Sequence, residues 1–199
     1  MVAGLPKRVR PRGTARREAL LDAVLRVVAE VGADAVTHRR VADVAGLPLA
    51  STTYWFDSKE EMLTAALERA ADRDVERLEA FLADATADAS DPLELAVAAI
   101  LDPVEQWGPS GRGRLLATYT LMLEAARRPE LREVTMRWTD AYFDALAPLL
   151  AAAGSHHPRS DAELLVAAAD GLLVEQLASD DTSDLGPRLR RLADALVRA

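Results

Sequence analysis

The sequence contains no cysteine, only nine aromatic residues and three histidines among its 199 residues. The lack of cysteine excludes disulfide bonds, thiolate metal sites and a cysteine nucleophile. No apolar run approaches the roughly 18 residues that a bilayer-spanning helix needs. No apolar stretch follows the basic N-terminus, as it would in a secretory signal. We therefore expect a soluble, cytoplasmic protein that has no cofactor, no metal site and no contact with a membrane.

Alanine and leucine dominate the composition, and half of the residues are hydrophobic. Because β-branched and aromatic residues do not cluster in alternating runs, these propensities predict an all-α protein. A first helix is predicted from a Thr14 cap to Gly32, and a long fourth helix from the Ser58–Glu61 capping box. Later helices are predicted from Asp91-Pro92 to about 101 or 107, and over 112–127, 129–152, 160–179 and 186–198, with a loop at 108–113 and a kink at Pro148.

Charge is distributed unevenly along the chain. Residues 1–60 hold ten Lys/Arg against seven Asp/Glu, whereas residues 61–199 hold fourteen against twenty-five. This asymmetry indicates that only the N-terminal part faces a polyanion, with the acidic remainder directed away from it. Residues 1–13 predict a disordered basic arm. Basic residues of the arm region, including Arg12 and Arg16, are candidates for contacts with the DNA backbone or minor groove; a solvated tail is the alternative.

Residues 37–56 have the layout of a helix-turn-helix, which places a short helix in the major groove of DNA. Thr37 caps the first short helix, Gly46 ends it, and Pro48 is expected as the first residue of the next, which runs to about Trp55. Thr52 and Phe56 lie four residues apart and are predicted to face the core. The groups left for base edges and phosphates are Thr37, Arg39, Leu49, Ala50, Ser51, Thr53, Tyr54 and Lys59.

The segments 37–46 and 54–63 closely resemble the tetracycline-repressor (TetR) family of bacterial regulators, and the resemblance extends over about residues 14–75. It implies an N-terminal three-helix DNA-binding domain over 14–57, extending into the linking helix to about 75. It also implies a helical domain over 58–199 that binds a small molecule and forms a homodimer. Family roles as groove or phosphate contacts are implied for Arg39, Leu49, Ala50, Ser51, Thr53, Tyr54, Trp55 and Lys59. Pro48, Ala50 and Thr53 depart from the usual family residues, so the operator of a relative does not carry over.

An effector pocket is expected to be mostly apolar, with a few polar groups. The candidates for its walls are Trp107, Tyr119, Met122, Met136, Trp138, Tyr142, Phe143 and Gln176, each with plain core packing as the alternative. The helices at 129–152 and 160–179 are predicted to form the dimer interface, where Ala167, Ala168, Ala169 and Gly171 would allow close approach. Packing within one subunit is the alternative. His156 and His157 are interpreted as solvated loop residues.

These features predict a transcriptional regulator, most simply a homodimeric repressor of a palindromic double-stranded DNA operator that a small-molecule effector releases. Effector binding would shift the population towards a spacing of the two DNA-binding domains that misfits the operator. Two other classes of protein are alternatives. The sequence contains no identifiable Ser/His/Asp set, phosphate loop or carboxylate pair that would support an enzyme. A helical protein-interaction module would share the fold without binding DNA.

Overall fold

The computed structural model describes residues 11–85, 91–105, 108–179 and 184–198. Within these ranges the chain forms α-helices and one 3-10 turn, at Ala33–Ala35, and no strand. The helices are α1 (Pro11–Val31), α2 (His38–Ala45), α3 (Leu49–Trp55), α4 (Lys59–Ala85), α5 (Pro92–Glu105), α6 (Gly108–Glu124), α7 (Pro129–Ala152), α8 (Pro158–Ser179) and α9 (Gly186–Val197). The all-α prediction is confirmed.

Local signals define the two short helices α2 and α3. The Thr37 hydroxyl oxygen accepts a hydrogen bond from the Arg40 N–H at 3.2 Å and so caps α2, as predicted. Gly46 ends α2 in the left-handed conformation, with φ 65° and ψ 31°, and the Leu47 N–H donates back to the Ala42 carbonyl. Pro48 precedes α3 as its N-cap rather than forming its first residue, because its ψ of 144° is extended.

The first helix begins earlier than predicted. It starts at Pro11 instead of Thr14, so residues 11–13 of the predicted arm are helical. Proline fits the first turn of a helix because the N–H that it lacks has no intrahelical partner there. Residues 1–10 of the arm lie outside the described residues.

The predicted loop at 108–113 is wrong, because these residues form the first turns of α6. Gly111 is buried, and a Cβ placed on Gly113 would lie 4.0 Å from the Ala29 side chain of α1. A Cβ would fit there at ordinary contact distance, so the glycines are helical because α6 packs on α1, a contact that local sequence does not show.

Helix α4 joins two hydrophobic cores. Its start is capped as predicted, since the Glu61 N–H donates to the Ser58 hydroxyl at 3.0 Å, while the Glu61 carboxylate accepts from the Asp57 N–H. The first core combines α1, α2 and residues 62–71 of α4 with Leu121 of α6 and side chains early in α7. The second core lies among the later part of α4 and helices α5 to α9. Helix α1 thus packs directly on α6, and α4 packs on α7.

Prolines mark the later helices. Pro129 and Pro158 stand at the starts of α7 and α8, and Pro148 lies inside α7. The kink at Pro148 stays a prediction. In the part of the chain that is described, no helix is both long and apolar enough to cross a membrane.

Candidate functional site

Helix α3 lies on the molecular surface and exposes one face to solvent. Thr52 is fully buried and Phe56 nearly so, which confirms that these two residues face the core. The Thr52 hydroxyl donates to the Leu49 carbonyl at 2.8 Å, so the buried oxygen is satisfied within the helix. The candidate contacts that are exposed on this helix are Leu49, Ala50, Thr53 and Tyr54, and Ser51 is half-buried.

The start of α2 lies beside this surface and adds positive charge. Arg39 is exposed. The Thr37 oxygen already accepts the Arg40 N–H, which leaves the hydroxyl hydrogen available for donation to a phosphate. Arg16 is exposed on α1, whereas the Arg12 side chain is outside the described part of the chain.

The side chains of Trp55 and Lys59 are partly engaged in contacts within the protein. Trp55 is half-buried against the first core, and its ring meets Tyr54 edge-on with centroids 5.0 Å apart. The Lys59 ammonium donates to the Asp34 carbonyl at 3.1 Å and lies 3.5 Å from the Asp34 carboxylate. A phosphate at Lys59 would therefore share this ammonium with Asp34.

An ion-pair cluster holds α1 to α4. The Glu18 carboxylate oxygen Oε2 accepts hydrogen bonds from Arg69 and from Arg73, each at 2.7 Å. The second nitrogen of Arg73 donates to Asp22 at 2.8 Å. We call these four residues the α1–α4 cluster. It ties α1 to α4, the helix that joins the two hydrophobic cores.

A cavity of about 80 Å³ lies among α4 to α8 and opens to solvent. Its walls are mostly apolar and aromatic. They are formed by Asp74, Ile100, Leu115, Thr118, Tyr119, Met122, Trp138, Thr139, Tyr142, Val166, Ala169, Asp170 and Leu173.

Two carboxylates lie in this apolar cavity. Asp74, only 7% exposed, accepts hydrogen bonds on Oδ2 from the Tyr142 hydroxyl at 2.7 Å and the Trp138 indole N–H at 3.0 Å. Its Oδ1 is buried and has no hydrogen-bond partner among the described residues. Asp170 accepts from the Tyr119 hydroxyl at 2.9 Å. Burial raises the pKa of both carboxyls above the ordinary value.

The two tyrosines remain protonated donors. Burial, together with the neighbouring carboxylates, raises the pKa of Tyr119 and of Tyr142 well above the ordinary value of 10.0. Each hydroxyl can therefore donate to its aspartate over the whole physiological range of pH. These hydrogen bonds also fix the orientation of both rings.

The cavity brings together Tyr119, Met122, Trp138 and Tyr142 of the predicted effector residues. Phe143 and Gln176 do not line it. Phe143 packs on the second core, with the Arg159 guanidinium 4.9 Å from its ring centroid. It follows Tyr142 directly, so it points about 100° away around α7. Trp107 lies outside the described residues, and Met136 is 58% exposed.

Sequence reasoning missed Asp74, Asp170 and Thr118 as cavity residues. A signal existed for Asp74, because it occupies an apolar position of α4 in the series Leu67, Ala71, Asp74 and Leu78. A charged residue on the buried stripe of a helix indicates a site. His156 and His157 are exposed between α7 and α8, and no group of acidic or histidine side chains suited to a metal ion occurs among the described residues.

Helix α8 carries an exposed apolar row, formed by Leu164, Ala167, Gly171 and Val174. These residues recur at intervals of three and four and so share one face of the helix. We call them the α8 row. Ala169 faces the cavity and is buried, so it is not available to a second subunit as the sequence suggested.

Comparisons with known proteins agree with this arrangement. Residues 91–199 match the family model described as the tetracyclin repressor-like C-terminal domain. The nicotine-responsive transcriptional repressor HdnoR of Paenarthrobacter nicotinovorans is 26% identical over 92% of this chain and 93% of its own length. The multidrug binding protein EbrR, complexed with ethidium, is 32% identical over 91% of this chain and 97% of its own, with a TM-score of 0.67.

A TetR-family protein of Streptomyces coelicolor, SCO1917, is 29% identical and superimposes with a TM-score of 0.73 over 91% of this chain and 97% of its own. The family model matches more than half of the chain, and the matched part contains the α8 row and every wall residue of the cavity except Asp74. The helix-turn-helix precedes it, in the order that the sequence indicated. This chain belongs to the TetR family of transcriptional regulators, which are DNA-binding proteins and not enzymes.

Proposed function

We propose that this protein is a homodimeric repressor that binds a palindromic operator on chromosomal DNA in the cytoplasm and is released by a small organic effector. The observation that carries the proposal is α3, whose exposed hydroxyl, aromatic and small apolar groups stand on a helix anchored by the buried Thr52 and Phe56. HdnoR is named a nicotine-responsive repressor and EbrR is complexed with ethidium, which supports a small organic effector.

In this proposal α3 enters the major groove. Thr53 and Tyr54 contact base edges or the phosphates that border them, while Leu49 and Ala50 contact thymine methyl groups. Arg39 and the start of α2 bind the backbone, because positive charge and free hydrogen-bond donors meet there. A two-fold dimer would present two such helices to half-sites about 34 Å apart, or a multiple of that distance.

The dimer interface centres on the α8 row, with α7 alongside it. Leu164 is 52% exposed and Val174 47%, and the small residues Ala167 and Gly171 between them permit close approach of a second helix. Much of the exposed face of α7 is charged, including Arg132, Glu133 and Asp140, so its contribution would be peripheral. A symmetric pairing of the same surface on both subunits gives the closed dimer that a palindrome requires.

Release of the operator would follow from ligand binding in the cavity. Asp74 lines the cavity, and Arg73, the preceding residue of α4, belongs to the α1–α4 cluster. A ligand that is bound more tightly in one position of α4 therefore favours the matching position of α1 and the recognition helix. The operator is released to the extent that this position misfits the half-site spacing.

Selection of genomic fragments bound by the purified protein would identify the operator. Binding to it would then be measured by fluorescence anisotropy for the wild type, Arg39→Ala, Tyr54→Ala and a control, Arg127→Ala. Arg127 is a suitable control because it is also an arginine, and its side chain is 82% exposed in the turn between α6 and α7, outside the proposed DNA contacts. We expect each of the first two variants to weaken binding by about 5- to 150-fold, as the loss of one contact of about 1 to 3 kcal/mol predicts.

Arg39→Ala should also reduce the slope of log affinity against log salt by about two, because each subunit of the dimer loses one phosphate contact. The control should match the wild type. If no fragment is selected, or if both variants bind as the wild type does, the protein-interaction module replaces the repressor as the better description.

A further inference from the structure

The buried oxygen Oδ1 of Asp74 has no partner among the described residues, although Oδ2 of the same carboxylate accepts two hydrogen bonds. A buried acceptor without a donor costs about 1 to 3 kcal/mol, and more when it is charged. Such groups are rare in folded proteins, and each one calls for a missing partner. Because Asp74 lines the cavity, the partner that fits this oxygen is a ligand inside it.

The sign of the charge in the cavity limits what that ligand can be. Asp74 and Asp170 are its two charged wall residues, and no arginine, lysine or histidine belongs to the described wall. Outside the wall, Arg77 of α4 lowers the pKa of Asp74 and Asp102 of α5 raises it, so the charges of these two neighbours oppose each other. An anionic ligand would be repelled here, and a neutral ligand without a donor would leave Oδ1 unpaired.

Besides Thr118 and Thr139, the other polar groups of the cavity wall belong to three aromatic rings, those of Tyr119, Trp138 and Tyr142. Their hydroxyl or indole hydrogens are already donated to Asp170 or Asp74, which fixes the rings in place. Aromatic faces attract organic cations, most strongly where water is excluded. Fixed rings beside carboxylates are therefore suited to an ammonium or heteroaromatic cation.

We infer that the effector of this protein is an organic cation, bound between Asp74 and Asp170 against the rings of Tyr119, Trp138 and Tyr142. The inference rests on the proposed function, since it takes the cavity to be the effector site. Asp74 supplies the ion pair, and its free Oδ1 receives either a donor N–H or the positive face of a quaternary ammonium. Asp170, on α8, supplies the second negative charge.

The experiment compares cations with neutral molecules of nearly the same shape by isothermal titration calorimetry on the full chain without DNA. The pairs are choline and 3,3-dimethylbutan-1-ol, 1-methylquinolinium and quinoline, and ethidium and its non-ethylated neutral parent. Each is titrated at neutral pH into the wild type, Asp74→Asn, Asp170→Asn and the control Asp72→Asn. Asp72 is an exposed carboxylate on the same helix, outside the cavity wall.

We expect at least one cation to bind the wild type about tenfold or more tightly than its neutral counterpart. Asp74→Asn should weaken that cation by about 10- to 100-fold, as the loss of a charged hydrogen bond predicts, and should leave the neutral molecule unchanged. Asp72→Asn should behave as the wild type. Thermal unfolding of each variant separates loss of binding from loss of fold, and Asp170→Asn provides a second reading if Asp74→Asn is unstable.

The inference is overturned if no cation of the panel binds better than its neutral partner, or if both cavity variants bind cations as the wild type does. Operator affinity is measured separately with choline, which does not intercalate into DNA. A cation that binds the cavity without changing operator affinity supports the cation site and contradicts the proposed release. A neutral ligand that releases the operator supports the proposed release and contradicts the cation site.

Discussion

Replacement of Glu18 by glutamine tests how strongly the DNA-binding helices are held to α4. Its Oε2 accepts hydrogen bonds at 2.7 Å from both Arg69 and Arg73, and the three side chains are 24% to 28% exposed. Exposed ion pairs contribute about 0.2 to 1 kcal/mol and hydrogen bonds to charged groups about 1.5 to 3 kcal/mol. Intermediate exposure therefore suggests about 1 kcal/mol for each bond, and about 2 kcal/mol for Glu18→Gln.

Thermal unfolding at fixed protein concentration measures this loss. For a chain of this length, about 2 kcal/mol lowers Tm by about 4 to 8 °C. Glu30→Gln is the matched control, because Glu30 is an exposed glutamate on the same helix, and it should change stability by less than about 0.5 kcal/mol. Equal Tm values for the two variants would refute the energetic role assigned to the α1–α4 cluster.

The same variant tests transmission between the domains. Glu18→Gln leaves the cavity intact, so its affinity for a cavity ligand should equal that of the wild type. The ratio of operator affinities without and with that ligand should fall towards one, because α4 no longer holds α1 at this point. An unchanged ratio, measured by anisotropy with saturating ligand, would show that the signal passes elsewhere.

Three further outcomes follow from single positions. Leu164→Glu should dissociate the dimer in sedimentation velocity, whereas Val31→Glu, at a 55% exposed apolar residue of α1, should not. Gly46 is in the left-handed helical region, which costs an L-residue about 1 to 2 kcal/mol, whereas Gly32, with φ 84° and ψ 166°, is in a region that only glycine readily adopts. Gly32→Ala should therefore lower the free energy of unfolding more than Gly46→Ala does, as measured by chemical denaturation. Burial raises the pKa of Asp74 in the folded protein above its unfolded value of 3.8, so native stability falls as pH rises past 3.8. Asp74→Asn should therefore raise Tm at neutral pH. The difference in Tm from the wild type should disappear as pH falls towards 3.8.

The sequence was sufficient to predict the two short helices α2 and α3, because their ends and buried side depend on neighbouring residues. The Thr37 cap and the left-handed Gly46 define α2, and the spacing of Thr52 and Phe56 correctly predicted the buried side of α3. The loop assigned to 108–113 failed for a different reason. The segment is helical because α6 packs on α1, which is distant in sequence, and composition alone does not show that packing.

The cavity was only partly predictable because five helices build it. Tyr119, Trp138 and Tyr142 were selected by residue type, and the helical packing brings them together. Phe143 has the same type and lies one position further along α7, yet it faces Arg159. Residue type indicates which side chains could line a cavity. Which of them face it depends on how each helix is rotated about its axis, and that rotation is determined by packing between distant parts of the chain.

The proposed signal has a short route because adjacent residues of α4 serve both domains. Consecutive helical residues point about 100° apart, so Arg73 meets Glu18 and Asp22 of α1 while Asp74 faces the cavity. A ligand that pairs with Asp74 removes the destabilisation of a buried, half-satisfied carboxylate, and it does so only in the position of α4 that it fits. That difference between positions is the free energy that a ligand must supply to shift the equilibrium. The unpaired Asp74 carboxylate beside the α1–α4 cluster therefore destabilises the free protein, and effector binding removes that destabilisation. This use in effector binding explains why a destabilising residue is kept at this point of α4.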